Sequence, residues 1–302
     1  MSAALHLTSL PVERWSLHLD LARPLQVPHP GSMLRGAFGH ALKALACECH
    51  SEHHAGCVYQ QIFEPAAPID WPARFNNCPP AYVLSVPTEF GPRQSIHFGF
   101  TLLGPCLHHR GLLWRAWQVA AAGGFGPQQI TAQLHPGDEQ QLQAPLSGCQ
   151  QLQIRLLSPL LLKHKSRGTL KSRPLAPEEL TLRDLLVALH RRLELTQRLY
   201  GVPSQLPELA MWLKEADALD LRADLQEQHF ARHSNRQQQS MPLFGLTGTL
   251  TLRGPVSPSL LHALTLGQWL HIGGKTALGL GGYQLIAPKP PTLHLSLRDV
   301  QE

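Results

Sequence analysis

The chain has 302 residues, 43% of them hydrophobic and 16% charged, which is enough apolar material for one large domain or two of ordinary size and excludes a disordered protein. Its formal charge is +5 with 18 histidines counted as neutral, a moderate basic excess that favours a polyanionic partner without defining one. No window offers about eighteen uninterrupted apolar residues, and the opening "MSAALHLTSLPVERW" has no basic segment followed by a long apolar stretch, so neither a membrane span nor a secretory signal is expected and a reducing, cytoplasmic setting follows.

"WSLHLDL", residues 15 to 21, alternates apolar and polar positions and reads as a half-buried strand. "SMLRGAFGHALKALA" then reads as a helix with Ser32 as its N-cap. Leu34, Phe38, Leu42 and Leu45 form one face and Gly36, His40, Lys43 and Cys47 the other. Its two interior glycines cost about 1 kcal/mol each relative to alanine, so something is expected to approach the backbone closely. "YVLSVP" and "SIHFGFTLLG" follow as strands, "LLWRAWQVAAA" as a helix, and "GGFGPQQITAQLHP" as a glycine turn running into a strand.

The second half repeats this order. "CQQLQIRLLSPLLLK" is a strand and "TLRDLLVALHRRLELTQRLYG" a long amphipathic helix ended by Gly201, with Arg191, Arg192 and Arg198 read mostly as its wet face. "PELAMWLKEADALDLRADLQEQ" reads as further helix, "LTGTLTLRG" as a strand, "SPSLLHALTLGQWLHI" as a helix and "YQLI" as a last strand. The fold class expected is α+β, with tandem ferredoxin-like (βαββαβ) units. Residues 1–148 would carry a Cys/His-rich insertion and residues 149–302 a glycine-rich loop.

That loop is "WLHIGGKTALGLGGYQL", residues 269 to 285, with five glycines in seventeen positions. A dinucleotide-binding fold would place its glycines early, between a first strand and the helix it opens. These come last, after a helix and before a strand. "GGKT" lacks the upstream glycine spacing of a P-loop.

Cysteines occur at 47, 49, 57, 78, 106 and 149. In "CECHSEHHAGC" three of them interleave with His50, His53 and His54, which could place three or four soft ligands around zinc. The C-x-C-x7-C spacing is not a paired CxxC arrangement, and reduced thiols with solvated histidines in a loop are the preferred reading. No metal and no cofactor is assigned, with Cys47, Cys49 and Cys57 the only metal candidates.

"GKTALGLGGY" resembles the glycine-rich loop of the RAMP superfamily of CRISPR-associated proteins. "LRGAFGHAL", "CVYQQIFEP" and "ARHSNRQQQSMPLFGLTGTLTL" resemble its branch that processes CRISPR repeat RNA. The four segments stand in the family's order and span nearly the whole chain. The resemblance implies two RRM-like domains facing each other, RNA across a basic surface, and a metal-independent endoribonuclease that cuts within each repeat. It further implies that the enzyme stays on the 3′ stem-loop of the guide RNA beside other effector subunits.

Such a cut uses the 2′-hydroxyl as nucleophile. It needs a base for the 2′-proton, an acid for the leaving 5′-oxygen and a cation at the phosphate. Histidine suits the first two roles because its pKa of about 6.5 lies near working pH. In the family the catalytic histidine comes from the first helix or the loop before it. His40 is therefore taken as base or acid, Lys43 or Arg35 as the phosphate contact, and His29 as runner-up.

"KHKSRGTLKSR", residues 163 to 173, contributes Lys163, Lys165, Arg167, Lys171 and Arg173 as contacts for the phosphates of an RNA hairpin. "RHSNRQ" adds Arg232, Arg236 and Gln237, and the glycine run offers Lys275. The alternative is a non-catalytic RAMP subunit that binds guide RNA as a scaffold. A more distant rival is a metal-dependent enzyme built on the Cys/His loop.

Overall fold

The computed structural model describes residues 10–50, 52–54, 56–72, 78–138, 150–165, 172–202, 206–234 and 239–286. The first half folds as β1 (Val12–Leu25), α1 (Gly31–Ala46), a short α2 (Val58–Phe63), β2 (Tyr82–Ser85), β3 (Arg93–Leu103), α3 (Arg110–Gly123) and β4 (Ala132–Pro136). Its strands form one antiparallel sheet in the order β2-β3-β1-β4. Alternation in β1 buries Leu17, Leu19 and Leu21 and leaves Ser16, His18 and Asp20 on the opposite face. The α1 stripe meets the core through Phe38, which stacks on Trp117 of α3 at 4.8 Å between ring centroids and meets Phe100 edge-on at 5.1 Å. Aromatic pairs of this kind add about 0.5–1.5 kcal/mol beyond the area they bury.

The second half folds as β5 (Gln151–Leu156), a small ribbon of β6 (Lys163–Lys165) and β7 (Ser172–Pro174), α4 (Leu182–Tyr200), α5 (Leu209–Ala216), β8 (Asp220–Ser234), β9 (Gln239–Arg253), α6 (Pro258–Leu270) and β10 (Tyr283–Ile286). The main sheet runs β10-β5-β9-β8. Numbered within their own halves, both sheets read 4-1-3-2, with one helical segment between the first and second strands and another between the third and fourth. This is the expected α+β architecture of two ferredoxin-like repeats. Helix α4 starts at a capping box, in which Asp184 N–H donates to Thr181 Oγ1 at 3.2 Å and Thr181 N–H to Asp184 Oδ2 at 3.1 Å. Ser257 caps α6 and donates its own hydroxyl to Glu215 of α5.

Several expectations are corrected. The helix expected across 207–228 ends at Ala216, and from Asp220 the chain is strand, because fifteen consecutive residues of β8 pair with β9. That ladder outweighs the helix-compatible spacing of Leu221 and Leu225. Helix α1 begins two residues earlier than expected, with Pro30 rather than Ser32 at the capping position and Ser32 already inside the helix. Leu45 is exposed rather than part of the core stripe. Of the two glycines expected to be closely approached, Gly39 is: a methyl there would meet the Phe63 ring at 2.3 Å. Gly36 has nothing within 4 Å.

Arg192, read as solvated, is buried, and its Nε donates to the Leu270 carbonyl at 2.9 Å. Arg14 of β1 reaches the Gln268 carbonyl at 3.5 Å. One buried and one half-buried guanidinium group thus lie against the carbonyl end of α6, where the helix dipole favours positive charge. Burial pushes both pKa values down to about 10.

Within the second half, the segment between α6 and β10 is fastened to the chain that follows β5. Gly274 N–H donates to Leu161 O, Gly281 N–H to Pro159 O, and Leu157 N–H to Gly282 O, at 2.8 to 2.9 Å. Ser158 is buried and donates to Gly279 O at 2.7 Å while accepting from Gly282 N–H at 2.8 Å. Gly281 has φ +73°, and a methyl there would lie 1.8 Å from the Ile272 oxygen, so no other residue fits.

Candidate functional site

The root of α1 is held by the glycine-rich segment. Leu278, in a single 3-10 turn (Thr276–Leu278), presents its carbonyl to the loop before α1, where His29 donates to it through Nε2 at 2.7 Å. The other ring nitrogen lies 3.4 Å from Thr88 Oγ1 and accepts from that hydroxyl. Burial lowers the His29 pKa; the Leu278 bond raises it, and the Arg93 charge lowers it again. His29 is therefore a neutral, enclosed link, and it is not presented to a substrate phosphate in this conformation.

From that fixed root α1 projects a polar outer face. Gly36, His40 and Lys43 are all exposed, and their spacing of four and three residues aligns them along the helix. Lys43 Nζ lies 5.7 Å from the centre of the Tyr59 ring on α2. Arg35 faces elsewhere: its guanidinium sits 4.3 Å over the Phe63 ring, a cation–π contact that commits it to packing. An imidazole can transfer a proton near neutral pH and an ammonium can stabilise charge on a phosphate.

Lys275 is exposed, at φ +59°, at the start of the 3-10 turn. Lys163 is exposed at the base of the β6–β7 ribbon. Lys165 ends β6, and Arg167 and Lys171 lie outside the described residues. Arg173 is exposed but paired through both terminal nitrogens with the Glu179 carboxylate, which that bond and the Ala176 N–H hold at a pKa of about 2. Arg232 falls in the distal part of β8, while Arg236 and Gln237 at the hairpin tip lie outside the described residues. The hairpin passes alongside α1, which brings the second half to the His40 helix.

Two features were missed by the sequence reading. His271, at the end of α6, is fully buried, donates from Nδ1 to Leu280 O at 3.0 Å, and has its pKa pushed down to about 3, first by burial and then by the Arg14 charge. On the outer face of the first sheet, His18 of β1 pairs in register with His97 of β3 and His135 of β4, with ring centroids 3.9 and 6.0 Å apart. Asp20 oxygens lie 2.8 Å from His18 Nε2 and 3.3 Å from His135 Nε2. Only cross-strand register assembles that row, although the alternation of "WSLHLDL" already put His18 on the polar face. Planar rings in such a row can stack on unpaired bases.

A groove of about 320 Å³ opens between Thr88 and Phe90 of the first half and Leu157, Gln226 and Thr247 of the second. Among the described residues no lysine or arginine lines it.

Residues 10–152 match a family model described as an N-terminal domain, and residues 154–283 match the family model of CRISPR-associated endoribonuclease Cas6. No curated protein sequence matches the chain. Among solved structures, the product complex of Thermus thermophilus Cas6 (TTHB231) has a TM-score of 0.60 at 18% identity, over 90% of this chain and 100% of that chain. A partial Cas6-RT-Cas1–Cas2 complex has a TM-score of 0.58 at 15% identity, over 92% of this chain and 46% of that one. A RAMP protein binding different RNA substrates has a TM-score of 0.53 at 12% identity, over 91% and 99%. At these identities the structural likeness shows the fold.

Paired ferredoxin-like sheets with a glycine-rich segment between the last helix and the last strand are the fold that this chain shares with those structures. Residues 154–283 belong to the CRISPR-associated endoribonuclease Cas6 family.

Proposed function

We propose that this chain cuts CRISPR precursor RNA within its repeats without a metal in the reaction, using the outer face of α1, and then holds the 3′ stem-loop of the guide RNA. The 2′-oxygen bonds to the adjacent phosphorus as the bond from phosphorus to the 5′-oxygen breaks. His40 takes the 2′-proton or supplies the proton to the leaving 5′-oxygen, and Lys43 steadies the charge on the phosphate. The products are a 2′,3′-cyclic phosphate and a 5′-hydroxyl. The observation that carries this reading is the exposed His40–Lys43 pair on a helix whose root is locked to the glycine-rich segment. His29 holds that root, and Arg35 supports α1 from within.

Lys163, Lys275 and the distal β8–β9 hairpin supply the charge that holds the RNA, with Lys165, Arg167, Lys171, Arg232, Arg236 and Gln237 as further contacts. Residues 1–148 and 149–302 are assigned as the two domains, with a boundary at the edge of residues 139–149, which are not described. Other effector subunits join through the retained guide RNA, in the cytoplasm; no helix among the described residues is long and apolar enough to cross a membrane.

The test is incubation of the purified chain with repeat RNA in EDTA, under conditions that leave its metal content unchanged. A single cut with a cyclic phosphate end, lost in His40→Ala while RNA binding persists, is expected. Binding without any cut by the unaltered chain would support the scaffold alternative instead.

A further inference from the structure

We propose that Cys47, Cys49, His53 and Cys57 hold one zinc ion with every coordination position taken by protein, fastening the end of α1 to the start of α2. Their four ligand atoms all lie within 4.8 Å of one another. His53 Nδ1 is 3.4 Å from Cys47 Sγ and 3.5 Å from Cys57 Sγ. Around tetrahedral zinc, with Zn–S about 2.3 Å and Zn–N about 2.0 to 2.1 Å, a sulfur and a nitrogen ligand stand about 3.6 Å apart. The two sulfur–nitrogen separations lie close to that value.

The three cysteines are free thiols, so no disulfide accounts for their convergence. Three sulfurs and an imidazole form a soft donor set that selects zinc over the hard cations magnesium and calcium. Four protein ligands also leave no open position for an activated water, so the site is structural and the ion stays out of the RNA chemistry.

The chain leads into the site from two helices. Cys47 directly follows α1 and donates its N–H to Lys43 O at 3.0 Å, and Cys57 is the residue before α2, accepting from Gln61 N–H at 3.0 Å. Cys57 is buried and the other three ligands are half-buried. The geometry also chooses among the histidines of the loop. His50 is exposed and outside the cluster, and His54 uses Nδ1 to accept from Gly56 N–H at 3.2 Å. The His53 ring lies 5.3 Å from Tyr59, the ring against which Lys43 rests, so the ion supports the position of Lys43.

Elemental analysis of the purified full chain is expected to find one zinc per chain, falling at least tenfold in both Cys49→Ser and His53→Ala. Cobalt(II) exchanged into the unaltered chain should give the ligand-field and thiolate charge-transfer bands of a tetrahedral sulfur site, a readout that does not depend on the variants folding. The cobalt form should cut RNA at the rate of the zinc form. Stripping the zinc should lower the melting temperature, and added zinc should restore it. A metal-free chain whose melting is unmoved by zinc, an octahedral cobalt spectrum, variants that keep their zinc, or a cobalt form with an altered cleavage rate would each overturn the proposal.

Discussion

The His29 imidazole donates to the Leu278 carbonyl across 2.7 Å, and a methyl group on Gly31 would lie 2.0 Å from that same oxygen. The loop before α1 and the glycine-rich segment, 249 positions apart in sequence, therefore share one acceptor and one packing surface. The orientation of His40 and Lys43 is set at this contact.

Gly31→Ala puts a side chain against a backbone oxygen that cannot turn aside. Overpacking of this kind costs about 1–3 kcal/mol, and the displaced helix should slow cleavage as well. Gly36→Ala enters open space and should raise stability by up to ~1 kcal/mol, the helix propensity difference. Urea unfolding and single-turnover cleavage of the two proteins distinguish these outcomes.

His40→Ala is expected to lower the cleavage rate constant by about 10²–10⁴, the usual contribution of a positioned acid or base. RNA affinity should stay within a few-fold. Lys43→Ala should also lose rate, and Lys43→Arg should recover part of it. If RNA affinity collapses together with the rate in His40→Ala, a role in binding replaces the role in chemistry.

Stability should fall in mild acid. The pKa of His271 is pushed down to about 3 by burial and that of His29 is lowered by burial, so the unfolded chain, with histidines near 6.5, takes up these protons first. Stability from both groups is complete above about pH 6.5 and is lost as pH falls below it, at no more than about 1.4 kcal/mol per pH unit per histidine. Urea midpoints measured from neutral pH down to about pH 4.5 should show this slope. In His271→Gln the slope should be shallower, whatever its stability at neutral pH.

The charges of the β6–β7 ribbon should be unequal in RNA binding. Lys163 has an exposed ammonium, whereas Arg173 is already paired with Glu179. Lys163→Ala should weaken binding and flatten its salt dependence more than Arg173→Ala does, and Glu179→Gln should tighten binding by releasing the Arg173 charge. Binding measured across a salt series tests all three.

The two repeats were legible in the sequence because alternation and helical periodicity are local. The strand at Asp220 was not, because leucines at 221 and 225 suit a helix equally and only pairing with β9 decides between them. The outer face of α1 was legible from helical spacing. Which charges stay available was not: Arg35 is taken up by Phe63, Arg173 by Glu179, and His29 by a carbonyl far along the chain. His53 could not be separated from His50 and His54 by spacing, since all three fall between the same cysteines.

The β8–β9 hairpin outruns its own sheet. Strand β5 pairs with β9 over Thr249–Arg253, Leu160 bridges to Leu246, and beyond that bridge β8 and β9 pair as far as Ser234 and Gln239 with no third strand among the described residues. With RNA held at its end, as proposed above, the arm would act as a ruler between that grip and α1, beside which β8 passes. Removing two facing residues from each strand keeps every side chain on its original face and shortens the ruler by about 7 Å. In such a protein the cut should move along the repeat while the reaction itself stays intact.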